Sequence, residues 1–223
     1  QEDLLIGANL NAGEIAEVNR LKGIIEKLFG VEKDNKLRAA AAQIRDWVSQ
    51  GYNPVIFCRY IATANYVAKE LKAILPKATD VQAITSEMTD DERKMRIEEM
   101  GSSASRVLVA TDCMSEGINL QNYFTAVMHY DLPWNPNRIE QREGRIDRFG
   151  QPKPLVKAYL LWGEDNPVDA IILKVLISKV RKIKNDTGES INIAEGNKSI
   201  ADAVLNQVLI HGKIFGKEDQ QLT

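Results

Sequence analysis

The sequence lacks any apolar run that approaches the roughly 20 residues a membrane-spanning helix needs. No short apolar segment with a basic flank opens the chain either, so a signal peptide is not indicated. Hydrophobic residues at 44% and charged residues at 27% are typical of a globular protein with its own core. We therefore expect a cytoplasmic protein with no membrane partner.

Cysteine is scarce as well, with only Cys58 and Cys113, each within or beside an apolar, strand-like run. They form no CxxC pair and have no histidine close in sequence, so neither a zinc site nor a disulfide framework is indicated. His129 and His211 also lack metal-ligand spacing. We expect no metal site, and cysteines that fill core space.

Excess charge of one sign is also missing, because the net charge is only -2 and the sequence pI about 5.8. A nucleic-acid partner would have to be held by a local basic face rather than by overall charge. The basic segment at 180–185 is interpreted as a solvated helix face.

Two helices are predicted before the first strand. Apolar residues recur at helical spacing from Ala12 to Phe29, and Gly30 is a plausible stop. The second helix is predicted from an N-cap at Asp34 to Gly51.

Short apolar runs then alternate with helical segments. The runs predicted as buried strands are 55–58, 81–85, 106–111, 125–131 and 155–162, and the helices between them are 63–75, 89–100 and 137–149. This alternation predicts an α/β fold with a mainly parallel sheet. An amphipathic helix from Val168 to about Lys184 and a polar tail follow.

The expected organisation is a helical lead-in at 1–33, an α/β lobe at 34–165 and a helical extension at 166–223. Because the chain begins at Gln1 without an initiating Met, we expect a fragment of a longer protein.

The strongest motif is QREGRIDRFGQ at 141–151. Gln141, Arg145 and Arg148 are spaced i, i+4 and i+7, so a helix would present them on one face. Two planar, permanently charged guanidinium groups suit a transferring phosphoryl group, which is the arginine-finger role in nucleotide hydrolysis. The alternative is an exposed helix whose arginines form ion pairs with the acidic residues at 140, 143 and 147.

A second motif, ATDCMSEGINLQ at 110–121, follows a predicted buried strand. Thr111 and Asp112 fall at the carboxyl edge of the sheet, where ligands of such folds bind, and Gly117 and Asn119 follow in a polar turn. These groups could contact phosphate, ribose or a neighbouring arginine. The alternative is that Asp112 and Asn119 cap a turn or a helix.

Two further segments end at the same predicted edge. VIFCRYIATANYVAKEL at 55–71 brings Arg59 and Thr63 to a helix N-terminus that could bind a nucleic-acid phosphate, unless Thr63 only caps that helix. DLPWNPNR at 131–138 carries Trp134, which either docks a partner lobe or closes the sheet edge.

The order and spacing of these segments resemble motifs IV, V and VI of superfamily-2 helicases over residues 36–165. The stretch DLPWNPNRIEQREGRIDRFGQ is similar to Swi/Snf-type DNA translocases, especially the bacterial RNA-polymerase-associated remodelers. The resemblance implies a RecA-like, three-layer α/β/α lobe with flanking helices, acting as the second motor lobe of an ATP-dependent helicase or DNA translocase.

The resemblance also implies roles for single residues. Arg145 and Arg148 would be arginine fingers supported by Gln141, and Gly117 and Asn119 would lie near the nucleotide and its ribose. Thr111 and the turn from Arg59 to Thr63 would face the nucleic-acid backbone.

No GxxxxGK[ST] loop occurs in the sequence, and its single DExx match, DERK at 91–94, lies at a predicted helix start rather than after a predicted strand. ATP and magnesium would therefore be bound mainly by an N-terminal RecA-like lobe, the implied partner beside duplex DNA. ATP hydrolysis is expected of the two-lobed protein and not of this chain alone. The alternatives are a non-catalytic RecA-like module that binds nucleic acid or protein, and an RNA-unwinding motor lobe.

Overall fold

A computed structural model describes residues 11–112, 120–133, 135–163, 169, 171–173 and 175–176, and a five-stranded sheet forms its centre. The strands are β1 (Pro54–Phe57), β2 (Thr79–Ile84), β3 (Ser105–Ala110), β4 (Ala126–His129) and β5 (Lys157–Leu160). Their order is β2-β3-β1-β4-β5, and every neighbouring pair is parallel. Each predicted strand run overlaps one of these strands, and the expected α/β fold is confirmed.

The helices are α1 (Ala12–Glu26), α2 (Asn35–Ser49), α3 (Ile61–Ile74), α4 (Asp90–Gly101) and α5 (Pro136–Glu143). Asp34 caps α2 as predicted, because its side chain accepts a hydrogen bond from the Leu37 N–H at 2.9 Å. Gly30 and Gly51 follow α1 and α2 at φ values of 104° and 75°, which glycine adopts without strain. The first two helices therefore end where the sequence predicts, within a few residues.

Helices cover both faces of the sheet because side chains of the central strands alternate between two cores. One face packs against α2 and α3, with Ile56, Val109, Met128, Ile44 and Leu71 among its buried residues. The other packs against α4 and the segment from Leu120 to Phe124, with Phe57, Leu108, Val127, Ile97 and Phe124 among its buried residues. The three-layer arrangement follows from this alternation.

The prediction of strands buried on both faces is wrong for β5. Ala158 and Tyr159 in the middle of this strand are exposed. The reason is position, since β5 is last in the strand order and pairs only with β4. An apolar run alone does not distinguish an edge strand from a central one.

The helix predicted at 137–149 is also shorter than expected, because α5 ends at Glu143 and Gly144 is its C-cap. Beyond Gly144 the chain turns and buries Ile146 completely in the core that contains Phe57. Gln141, Arg145 and Arg148 therefore do not share one helical face, which corrects the prediction from their spacing. Burial of one isoleucine outweighs continuation through a glycine, which costs about 1 kcal/mol in a helix.

The helix predicted from Val168 to about Lys184 falls mostly outside the described residues. Where it is described, Ile172, Leu173 and Leu176 are buried in a cluster with Leu132 and Ile139. The tail after 186 and Cys113 lie outside the described residues, whereas Cys58 is fully buried, as predicted. No helix in the described ranges is long and apolar enough to cross a membrane.

Gly101 provides a test of the packing between α4 and the segment that follows β3. A Cβ added at Gly101 would lie 2.5 Å from a ring carbon of Tyr123, so the ring would have to move. We expect Gly101→Ala to lower the free energy of unfolding by about 1–3 kcal/mol, measured by urea denaturation. The control is Gly23→Ala in α1, where nothing lies within 4 Å of the added Cβ, and a loss of stability there would contradict this explanation.

Candidate functional site

The carboxyl ends of β1, β3 and β4 bring charged residues together at one edge of the sheet. Arg59 follows β1, Asp112 follows β3, and Asp131 follows β4. A cavity of about 390 Å³ opens between these residues and the start of α5, where Asn135 and Arg138 line it. This is the edge at which parallel α/β sheets bind ligands.

Arg142 of α5 is the buried centre of this edge. Its Nε donates a 2.7 Å hydrogen bond to Asp112 Oδ1, and its Nη1 lies 3.4 Å from the Asp131 carbonyl oxygen. The guanidinium carbon lies 5.1 Å from the centroid of the Phe57 ring. The side chain is only 4% exposed, so Arg142 connects α5 to the ends of three strands rather than reaching solvent.

Asp112 and Asp131 are the two carboxylates of this edge. Asp112 also lies 3.3 Å from Arg138 Nη1, so it contacts arginine, one of the contacts expected for it. Asp131 accepts a 2.8 Å hydrogen bond from Lys36 Nζ and a 2.9 Å bond from the Arg59 backbone N–H. Asp131 thereby ties the end of β4 to α2 and to the turn that carries Arg59.

The N-terminus of α3 lies directly after Arg59. The N-cap residue is Tyr60, and no side chain hydrogen-bonds to the first turn as a cap. The alternative in which Thr63 caps this helix is therefore wrong, because Thr63 lies inside its first turn. Arg59 is exposed. Arg59 therefore places a cation at the larger cavity, and the uncapped first turn of α3 follows it directly in the chain.

His129 and Glu143 form a second buried contact beneath the edge. His129 is fully buried, with Nδ1 3.4 Å from Arg142 Nη1 and Nε2 3.4 Å from Glu143 Oε1. Burial lowers the pKa of His129 to about 3, and the nearby Arg142 charge adds to this effect. Burial also raises the pKa of Glu143 to about 7, with a further contribution from Asp147. The imidazole is therefore neutral at physiological pH.

The structure brings together some of the predicted residues. Gln141 and Arg145 line a small cavity of about 20 Å³ beside Asp112, Arg138 and Arg142. Arg148 follows in an exposed turn. Thr111 is 5% exposed, so its side chain is directed into the protein. Gly117, Asn119 and Trp134 lie outside the described residues.

Sequence reasoning missed Arg142 and His129. Arg142 lies three residues after Ile139 and four before Ile146, and both isoleucines are buried, so the spacing already indicated an inward position. His129 was considered only as a metal ligand. Among the described residues no cluster able to hold a metal ion occurs, and the histidine instead contacts side chains of α5.

The fold and this edge define a RecA-like lobe, and solved structures share the fold. The chain matches the C-terminal part of the Fun30 ATPase domain with a TM-score of 0.57 and 17% identity, over 81% of this chain and 55% of that one. It matches the Sulfolobus solfataricus SWI2/SNF2 ATPase core in complex with dsDNA with a TM-score of 0.53 and 19% identity. That match covers 82% of this chain and 35% of the other. The model of the helicase conserved C-terminal domain matches residues 35–150, slightly more than half of the chain. The chain belongs to this family, the C-terminal lobe of superfamily-2 helicases.

Curated relatives cover different shares of the chain. The uncharacterized ATP-dependent helicase YqhH of Bacillus subtilis is 44% identical over 84 residues, which is 38% of this chain and 14% of that protein. The ATP-dependent RNA helicase eIF4A of Meyerozyma guilliermondii is 28% identical over 172 residues, or 77% of this chain and 42% of that protein. The chain thus spans less than half the length of these relatives.

Arg142 and Arg138 allow a matched comparison at Asp112. We expect Arg142→Met to lower the free energy of unfolding by about 2–4 kcal/mol, because it leaves Asp112 with only the half-exposed Arg138 and removes the donor facing His129. The loss stays below that of a fully buried pair, because about a third of the Asp112 side chain is exposed and solvent screens its charge. Arg138→Ala should cost no more than about 1 kcal/mol. Equal losses in urea unfolding would show that burial does not distinguish the two pairs.

Proposed function

We propose that the chain is the second motor lobe of a Swi/Snf-type helicase or DNA translocase that hydrolyses ATP. The observation that carries the proposal is the position of Arg145, which lines the small cavity with Gln141 beside the buried pair of Arg142 and Asp112. A cation held against a rigid, buried frame is preorganised, which is the requirement for stabilising charge in a phosphoryl-transfer transition state.

In this proposal Arg145 and Arg148 act as arginine fingers and Gln141 supports them. Arg142 cannot serve as a finger, because it is buried and its Nε is committed to Asp112. ATP and Mg²⁺ would be bound mainly by an N-terminal RecA-like lobe, since no phosphate-binding loop occurs in this sequence. Gly117 and Asn119 would lie near the nucleotide and its ribose.

The mechanism follows from the division of the site between two lobes. ATP bound on the N-terminal lobe draws the lobes together, and the guanidinium groups of this lobe then neutralise charge on the transferring phosphoryl group. Hydrolysis and phosphate release remove that attraction, and the lobes separate. Alternate gripping of the nucleic acid by the two lobes converts this cycle into movement.

The nucleic-acid track of this lobe is proposed at the turn from Arg59 to Thr63. Support comes from the exposed Arg59 at the 390 Å³ cavity and from the first turn of α3, whose N–H groups no side chain caps. A backbone phosphate satisfies both the cation and the N–H groups. Thr111 belongs to the same proposed track, although its burial requires that it contact the nucleic acid through its backbone or act through its neighbours.

Two other functions have support of their own. The match to eIF4A, named an ATP-dependent RNA helicase, over 77% of the chain favours an RNA-unwinding motor lobe. The Swi/Snf assignment depends instead on the segment DLPWNPNRIEQREGRIDRFGQ. A non-catalytic RecA-like module that binds nucleic acid or protein is less favoured, because such a module has no use for both Arg145 and Arg148.

The domain division and the location are also proposals. The family match at 35–150 falls inside the lobe proposed at 34–165, which leaves 1–33 as a lead-in and 166–223 as an extension. We propose a cytoplasmic protein.

The finger assignment is tested in the two-lobed protein. We expect Arg145→Ala and Arg148→Ala each to lower kcat for ATP hydrolysis by about 10³- to 10⁵-fold, because a finger stabilises the transition state. The control is Arg45→Ala on the exposed face of α2, which should leave turnover unchanged. This 223-residue chain alone should hydrolyse no ATP. Unchanged turnover in the arginine variants would remove the finger role.

The nucleic-acid partner is tested by stimulation. ATP turnover of the two-lobed protein is measured with duplex DNA, single-stranded DNA, RNA and no nucleic acid, and the proposal expects the largest stimulation with duplex DNA. Arg59→Ala should weaken binding for all sequences and reduce the slope of log affinity against log salt by about 1, since one phosphate contact is lost. Stimulation by RNA alone would establish the RNA motor instead.

A further inference from the structure

Arg138 of α5 lies between the two cavities at the carboxyl edge of the sheet. It lines the cavity of about 390 Å³ together with Arg59, and it lines the cavity of about 20 Å³ together with Arg145. Arg142 also lines both cavities, but its side chain is buried, whereas the Arg138 side chain is 52% exposed. Arg138 is therefore accessible to a ligand that enters the larger cavity.

The two carboxylates that line the larger cavity each have a close cationic partner inside the lobe. Asp112 Oδ1 accepts a 2.7 Å hydrogen bond from Arg142 Nε, and Asp131 Oδ1 accepts a 2.8 Å hydrogen bond from Lys36 Nζ. These pairs are neutral as units, so they contribute little net charge to the cavity. The two exposed arginines that line the cavity therefore give it an excess of positive charge.

The contact between Arg138 and Asp112 leaves most of the Arg138 guanidinium available. Arg138 Nη1 lies 3.3 Å from Asp112 Oδ2, which is a longer contact than the 2.7 Å bond that Arg142 makes to the other oxygen. A guanidinium carries five N–H groups in a planar fork, and one contact of this kind leaves the others open to a second acceptor. Water competes with a half-exposed ion pair, so the pair contributes little to stability. Arg138 can therefore bind an anion without disturbing the buried pair of Asp112 and Arg142.

We propose that Arg138 is a second phosphate-binding residue of the nucleic-acid track, in addition to Arg59 at the same cavity. Its ligand is a backbone phosphate of duplex DNA, because the planar fork of an arginine matches two phosphate oxygens. The inference rests on the proposed nucleic-acid track of this lobe. It adds a residue of α5, so that the track reaches the helix that precedes the proposed finger Arg145.

The experiment measures the affinity of the two-lobed protein for a short labelled DNA duplex by fluorescence anisotropy, over a series of salt concentrations. We expect Arg138→Gln to weaken binding about 5- to 10-fold at about 0.1 M salt and to reduce the slope of log affinity against log salt by about 1, because one phosphate contact is lost. Arg138→Lys keeps the positive charge and should keep the slope of the wild type.

The matched control is Arg20→Gln in α1. Arg20 is also an exposed arginine with one ion-pair partner, since its Nη2 lies 2.6 Å from Glu17 Oε1 and its side chain is 59% exposed, but it lines neither cavity. The control removes the same charge, and its affinity should stay within about twofold of wild type because salt screens exposed charges that are distant from the ligand. Equal reductions of the slope in both variants would show that only the overall charge matters, and the role of Arg138 would be wrong.

Two further outcomes would also overturn the role of Arg138. If Arg138 only supported Asp112, Arg138→Gln would lower stability in urea unfolding and leave the salt slope unchanged. If Arg59→Ala reduces the slope and Arg138→Gln does not, only the role of Arg138 fails. If neither variant changes the affinity or the slope, the proposed nucleic-acid track fails together with it.

Discussion

The buried guanidinium of Arg142 is the interaction on which the carboxyl edge of the sheet depends. It pairs with Asp112 after β3, lies against the carbonyl of Asp131 after β4 and contacts the Phe57 ring at the end of β1. Removal of a charge from water is costly, so such a group persists only where several partners compensate for lost hydration. This geometry makes α5 and the three strand ends one rigid unit.

Charged groups at this edge divide into buried ones that hold the frame and ones that reach the surface. Arg142 and Asp131 are occupied by contacts within the lobe, whereas Arg59 and Arg145 remain partly or fully exposed beside cavities. Asp131 positions the turn that carries Arg59, because its side chain accepts a hydrogen bond from the Arg59 backbone N–H.

Much of the fold could be predicted from the sequence. Apolar runs and helical periodicity gave the five strands and the first four helices, and Asp34 and Gly30 gave boundaries, because caps and glycine turns are local effects. Prediction failed where a long-range effect decided the outcome. The exposure of Tyr159 depends on the position of β5 at the sheet edge, and the early end of α5 depends on the burial of Ile146.

The sequence by itself determined the α/β class, the order of its elements and the motif that contains Arg145 and Arg148, because these depend on periodicity and on neighbours in the chain. Only the tertiary structure decided that Arg142 is the buried centre of the site, and that His129 contacts Glu143. Parallel strands bring together residues that are far apart in sequence, so the partners of a side chain at their carboxyl ends are set by strand order. The spacing of residues along the chain does not reveal the order of the strands in the sheet.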